Sequence, residues 1–310
     1  MKTLKPITFN FSESWKDYLD QEGYVVIQNV LNEEAIHTGI EHFWEDWTTV
    51  SPGFVRTNTD TWSINTAPMM FAKGMAVFNG FGQSNFMWYL RTQKPIMDIF
   101  ERIHSTSDLI TSFDGFSVFF SSKQKSTKDW WHIDQHPNNP LYCIQGAYNF
   151  FPVTQDSAGF TVVPRSHRTF TPSETNVSKD WIQVASNKTP EEARSILSDG
   201  VKLIIPGNSF VLWNSKTIHA NTGTTSKEIT LNRLTAYITF VPRSWRTNQA
   251  QFEKRKETYK LGQTTSHWPN KVEVKTYPWG FGPRYVQRGF GKITPTLEDG
   301  TIPQKRLSLM

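Results

Sequence analysis

The residues with the clearest chemical potential are His132, Ile133 and Asp134, in the run Trp130-Trp131-His132-Ile133-Asp134-Gln135-His136-Pro137. A β-strand turns alternate side chains to one face, so His132 and Asp134 aim an imidazole and a carboxylate at one point. A second histidine from another strand would complete a two-histidine, one-carboxylate facial triad. That ligand set leaves coordination positions open and suits non-haem Fe(II). His-x-Asp alone arises by chance in a chain of 310 residues, so the distal histidine carries the case. His219 is the candidate, 85 residues beyond Asp134. It follows Ile204-Ile205-Pro206-Gly207-Asn208-Ser209-Phe210-Val211-Leu212-Trp213, which reads as strand, turn and strand.

Such a triad needs strands from distant parts of the chain, and the sequence supplies them. Gly23 to Leu31 reads as a first strand. Asn32 then caps a helix with Glu33 and Glu34 in its first turn and Ile36, Ile40, Phe43, Trp44 and Trp47 along one face. Residues 48–88 read as irregular, a candidate substrate-covering region. Phe78, Phe81, Phe86, Trp88 and Tyr89 within and beside it suit either a core or an apolar, ring-containing substrate. Pro95 opens a helix carrying Ile96, Ile99, Phe100 and Ile103. Strand-like text follows at 116–120, 141–151, 160–163, 201–205, 209–213 and 229–241, with a short helix starting at Thr189 and a charged, helix-compatible stretch at 252–259. Many short strands with Gly, Pro and Asn turns, flanked by helices, predict a mainly β chain of α+β type.

Composition narrows the class. With 12 Trp and 22 Phe the chain can build a substantial core. It has no apolar run long enough to span a membrane. The first residues, Met1 to Pro6, lack the apolar segment of a signal peptide, so a cytoplasmic location is expected. Cys143 is the single cysteine, which excludes an intrachain disulfide and fits a reducing compartment. The net charge of +5 is uneven: residues 246–310 hold 12 Lys and Arg against 5 Asp and Glu, and the remainder is slightly acidic. Residues 1–245 therefore read as the β domain with its N-terminal helices. Residues 246–310 read as a basic, aromatic-rich extension packed on or beside it. The plain reading of that extension is a solvated surface. The sharper one is contact with an anionic partner.

Four segments together resemble the phytanoyl-CoA dioxygenase (PhyH-like) group of Fe(II)/2-oxoglutarate-dependent oxygenases. They are Glu22 to Ile27, Trp131 to His136, Ser157 to His167, and Pro206 to Trp213 leading to His219 and Arg233. They span about residues 15–245 in the family's order. The third ends in Pro164-Arg165-Ser166-His167, with Arg165 where the family usually has glycine. The resemblance implies a double-stranded β-helix (jelly roll, cupin-like). It implies Fe(II) held by His132, Asp134 and His219, with 2-oxoglutarate chelating the iron and O2 as co-reactant. Arg233, 14 residues after His219 and slightly beyond the family's spacing, is then the partner for the far carboxylate, because a guanidinium meets a carboxylate bidentately. Asn221 is a candidate hydrogen-bond partner of the same cosubstrate. Asp134 favours hydroxylation over halogenation, since related halogenases lack the carboxylate. The implied activity is hydroxylation of a small or medium organic substrate, with 2-oxoglutarate decarboxylated to succinate and CO2.

Two other classes stay open. One keeps this chemistry but moves it to nucleic acid or protein, motivated by the basic extension and by Trp268, Tyr277, Trp279, Phe281 and Tyr285. The other is a non-catalytic jelly-roll binding protein. Around the triad, Trp130 and Trp131 read as core or pocket wall, His136 and His167 as turn-forming residues, and Asn214 and Lys216 as facing either the site or solvent. Oligomeric state is not legible.

Overall fold

The computed structural model describes residues 1–63, 65–70, 74–120, 130–173, 175–176, 180–246, 248–275 and 289–310. The chain divides into two compact units, one of residues 1–30 and 121–233, the other of residues 31–120 and 234–310.

The first unit is a two-sheet β structure. One sheet orders its six strands as Lys2–Leu4, Val201–Leu203, Gly159–Val162, His219–Thr222, His132–Ile133 and Ile182–Gln183. The facing sheet brings Thr8–Phe9, Tyr24–Gln28, Ser209–Asn214 and Ile144–Asn149 side by side. Pairing is antiparallel except where the two N-terminal strands join. These are the two leaves of a double-stranded β-helix, with Phe160 of one meeting Trp213 of the other at 4.8 Å between ring centroids.

Alternation along the strands gives the first sheet two different faces. Its outward face carries Ile133, Ile182 and Ala220, which are buried with Trp131, Val163, Phe170, Val184, Ala193 and Ile218. Each large apolar side chain there contributes roughly 1.5–3 kcal/mol by leaving water. Its inward face carries His132 and His219. The family-like turn ending in His167 is held against the start of the first long strand. Gly23 sits at φ 79°, and a Cβ there would collide with His167 Nδ1, so this corner requires glycine. Arg165 itself takes a left-handed φ of 65°, and its Nε donates to Glu22 Oε2 at 3.1 Å. The turn thus keeps the backbone conformation that glycine would supply, with an arginine in it. His167 Nε2 bonds the Asp20 carbonyl at 3.0 Å, the backbone-satisfying role expected of it.

The second unit is built on helices Glu33–Val50, Asn85–Arg91, Lys94–His104 and Gln249–Lys260, with short strands Met75–Ala76, Leu109–Thr111, Phe116–Phe119 and Phe240–Pro242. Asn32 caps the first helix by accepting from Ala35 N at 2.8 Å. Phe43, Phe81 and Phe86 surround Phe116 at centroid distances of 5.0–5.7 Å, and Trp47 stacks on Phe81. The segment expected to be irregular from 48 to 88 is shorter than that: one helix runs on to Val50 and the next begins at Asn85. Phe78, Phe81, Phe86 and Trp88 are buried, so they are core. Ring packing at helical and turn positions, invisible to periodicity, organises this region.

The basic extension is also less solvated than its charge implies. Arg255, Tyr259 and Trp268 are buried in the second unit. Arg255 lies 4.3 Å over the Phe113 ring and donates Nε to the Met310 carbonyl at 2.9 Å. A guanidinium with its N–H groups on carbonyls can be buried without a carboxylate. Tyr277, Trp279, Phe281 and Tyr285 lie outside the described residues. Among the described residues no helix is long and apolar enough to cross a membrane.

Asp46 is a buried carboxylate whose Oδ2 accepts from Phe86 N at 2.7 Å. Burial pushes its carboxyl up to about 6, with the backbone N–H groups of Phe86 and Asn85 opposing. Between the ordinary carboxylate value and about 6 the folded chain holds a proton that the unfolded chain has released. Stability from this group is therefore full at low pH and lost as pH rises through that window. In urea titrations of wild type and Asp46→Asn, the wild-type advantage should fall by about 2–3 kcal/mol between about pH 4 and 6 and stay level above.

Candidate metal centre

His132 and His219 are a directly opposed cross-strand pair. Asp134 lies just past the His132 strand, where its N–H donates to the Ser215 carbonyl at 2.8 Å. The three side chains converge. Asp134 Oδ1 is 3.5 Å from His132 Nε2, and Oδ2 is 3.2 Å from His219 Nε2. One ligand atom from each lies within 4.8 Å of the others. All three residues are at most 9% exposed, so the donors are largely removed from water.

The rings are oriented by their own strands. His132 Nδ1 is 2.8 Å from the Trp130 carbonyl, and His219 Nδ1 is 2.9 Å from the Thr217 carbonyl. A carbonyl only accepts, so each Nδ1 carries a hydrogen, and in the neutral tautomer each Nε2 turns its lone pair inward. Two such lone pairs and a carboxylate facing one another form an arrangement that a cation stabilises. Two imidazoles and one carboxylate fit a non-haem Fe(II) ion by donor type.

Gln145 holds the carboxylate, and its role was not legible in the sequence. Its Nε2 donates to Asp134 Oδ2 at 2.8 Å and to Ser215 Oγ at 3.1 Å. The only signal was a polar residue following Cys143 and Ile144 at the start of a buried strand. Aromatic rings close the flanks: Trp130 stacks on His132 at 4.7 Å, and Trp213 and Phe160 lie 5.2 and 5.7 Å from His219. Trp130 is thus wall and Trp131 core.

Asn221, two residues after His219, shares its face of the strand. Its Oδ1 accepts from Arg233 at 2.8 Å, and both residues are buried. The amide oxygen of Asn221 therefore orients the guanidinium. Lys216 donates to the Pro137 and Asn139 carbonyls at 2.7 and 2.9 Å and caps that loop. His136 Nδ1 accepts from Asn138 N at 3.2 Å, which makes it a turn residue. Lys202, another residue the sequence did not flag, is buried and donates to the Gln155 carbonyl at 2.9 Å. Burial, then the charge of Arg233, pulls its ammonium down to about 8. Its register opposite Thr161, in line with Ala220, puts it on the outward face, away from the triad.

If Gln145 fixes the carboxylate, Gln145→Leu should weaken Co(II) or Fe(II) binding by about 10–100-fold with the fold retained, by calorimetric titration. Unchanged affinity would make the bond incidental.

No family model matches the chain. A relative from Aspergillus versicolor, Ava biosynthesis cluster protein O, is 25% identical over 271 residues, covering 83% of this chain and 86% of that protein. The crystal structure of the non-haem α-ketoglutarate-dependent carbocyclase SnoK from nogalamycin biosynthesis is similar with a TM-score of 0.51 at 14% identity, over 74% of this chain and 84% of that one. The likeness to SnoK is one of fold.

Proposed function

We propose that the chain is an Fe(II)/2-oxoglutarate-dependent oxygenase of a small or medium-sized organic molecule, related to the PhyH-like group. The observation that carries this is the buried convergence of His132 Nε2, His219 Nε2 and an Asp134 carboxylate, with both Nδ1 atoms committed to carbonyls. The fold shared with an α-ketoglutarate-dependent carbocyclase supports the cosubstrate, and a relative from a biosynthesis cluster supports a small-molecule substrate.

Each residue then has a physical task. His132, Asp134 and His219 would hold the ion through two neutral donors and one negative charge. Bound iron, with 2-oxoglutarate and O2, supplies oxidative decarboxylation and removal of hydrogen from a substrate C–H bond. Gln145 keeps Asp134 in a ligating orientation and so keeps its position filled by carboxylate, which favours oxygenation over halogenation. Arg233 would meet the far carboxylate of 2-oxoglutarate, pre-aimed by Asn221. The rings of Trp130, Trp213 and Phe160 exclude water from the imidazoles and strengthen every charge interaction inside. The outcome is oxidation at carbon, with hydroxylation its simplest form. Trp268, the one described aromatic of the basic extension's set, is buried and offers no face to a nucleic-acid base.

Anaerobic titration with Fe(II) and 2-oxoglutarate should give the weak visible metal-to-ligand charge-transfer band only when both are present, and His132→Ala should abolish it. A folded wild-type protein without the band would return the triad to a structural role. Arg233→Met should raise the 2-oxoglutarate Kd read from that band by about 10–100-fold, the loss expected for one charge-assisted contact, and leave Fe(II) affinity unchanged.

A further inference from the structure

Strand register sorts the residues beside His132 by face. Ile182 pairs with Ile133 and Gln183 with His132, so Gln183 shares the ligand face and Ile182 is buried on the other. Trp181, one residue before Ile182, returns to the ligand face. Its indole centroid is 5.6 Å from the His132 imidazole at an interplanar angle of 37°.

Two tryptophans therefore flank one imidazole, and they differ in what else they do. Trp130 donates its Nε1 to the Asn221 carbonyl at 3.1 Å and is part of the barrel wall. Trp181 leaves 48% of its surface exposed, although the histidine it touches is 4% exposed. A large apolar ring exposed singly is ordinary. One exposed while in ring contact with a buried ligand histidine connects the protein surface to that set. Trp130, Trp213 and Phe160 already occupy other flanks of the two imidazoles.

We propose that Trp181 is a substrate-binding wall of the metal centre and that the site takes a planar ring system stacked on its open indole face. An indole offers a flat π surface that rewards an offset-stacked ring beyond simple area burial. The inference rests on the metal-centre reading and adds to it the class of substrate and the residue that selects it.

The test uses Co(II), whose visible spectrum reports the ligand set, and two probes of one carbon skeleton, planar 2-naphthol and non-planar decahydro-2-naphthol. Proton relaxation of each probe is compared with Co(II)- and Zn(II)-loaded protein, because only a probe beside the paramagnetic ion relaxes faster. Wild type should bind 2-naphthol next to the ion and prefer it to the decahydro compound. Trp181→Ala should weaken 2-naphthol by about tenfold with its Co(II) spectrum unaltered, and Trp181→Phe should restore most of the affinity. Equal binding by wild type and Trp181→Ala, no preference for the planar probe, or no 2-naphthol binding at all would each overturn the proposal. Failure of wild type to give a Co(II) spectrum would instead sink the metal-centre reading. Quenching of tryptophan emission by 2-naphthol in wild type and Trp181→Ala would then decide the stacking site separately.

Discussion

Two hydrogen bonds from imidazole Nδ1 to backbone carbonyls hold the candidate centre together. They join His132 to the Trp130 carbonyl and His219 to the Thr217 carbonyl. Each bond links a ring to the backbone two residues upstream, just before its strand, so ring orientation is inherited from backbone geometry. The same bond fixes the tautomer, and the tautomer decides whether a lone pair or a hydrogen meets Asp134. Because the two histidines are also cross-strand partners, one ladder contact sets their separation. Gln145 then has a single remaining task, to stop the carboxylate from rotating out of plane with them.

The surrounding protein makes this geometry stiff. The outward face of the ligand-bearing sheet is an apolar cluster and the inward face is polar and aromatic, so neither can trade places with the other. The turn at Arg165 and the glycine at position 23 tie the adjoining segments together through Glu22 and His167. The second unit uses a different device, a network of aromatic rings around Phe116 and Trp47, and places Asp46, Arg91 and Arg255 within it by giving their polar atoms backbone partners.

The parts of this molecule that could be read from sequence are those with a local signature. His132 and Asp134 carry the His-x-Asp spacing at a strand end, with Asp134 just past the strand, Asn32 and Thr189 cap helices by residue type, and the strand–turn–strand before His219 is marked by Pro206, Gly207 and Asn208. The resemblance to a family supplied the order of the segments and the fold, while His219 was already the candidate from the strands before it. Gln145 and Trp181 were missed because their importance depends on which strands become neighbours, and pairing over long separations leaves no trace in the local pattern. The buried state of Arg255 was missed for a related reason: charge counts treat a guanidinium as solvated, whereas carbonyls and an aromatic face can replace its water. The 48–88 segment misled because ring–ring packing has no fixed period.

The cross-strand pairing of the two histidines also acts as a proofreading step. A slip of one residue in the His219–Thr222 strand would present Ala220 to the inner face and push an imidazole into the apolar cluster outside. No slipped chain can assemble the three donors, so an ion could be held there only by a chain whose sheet is in register.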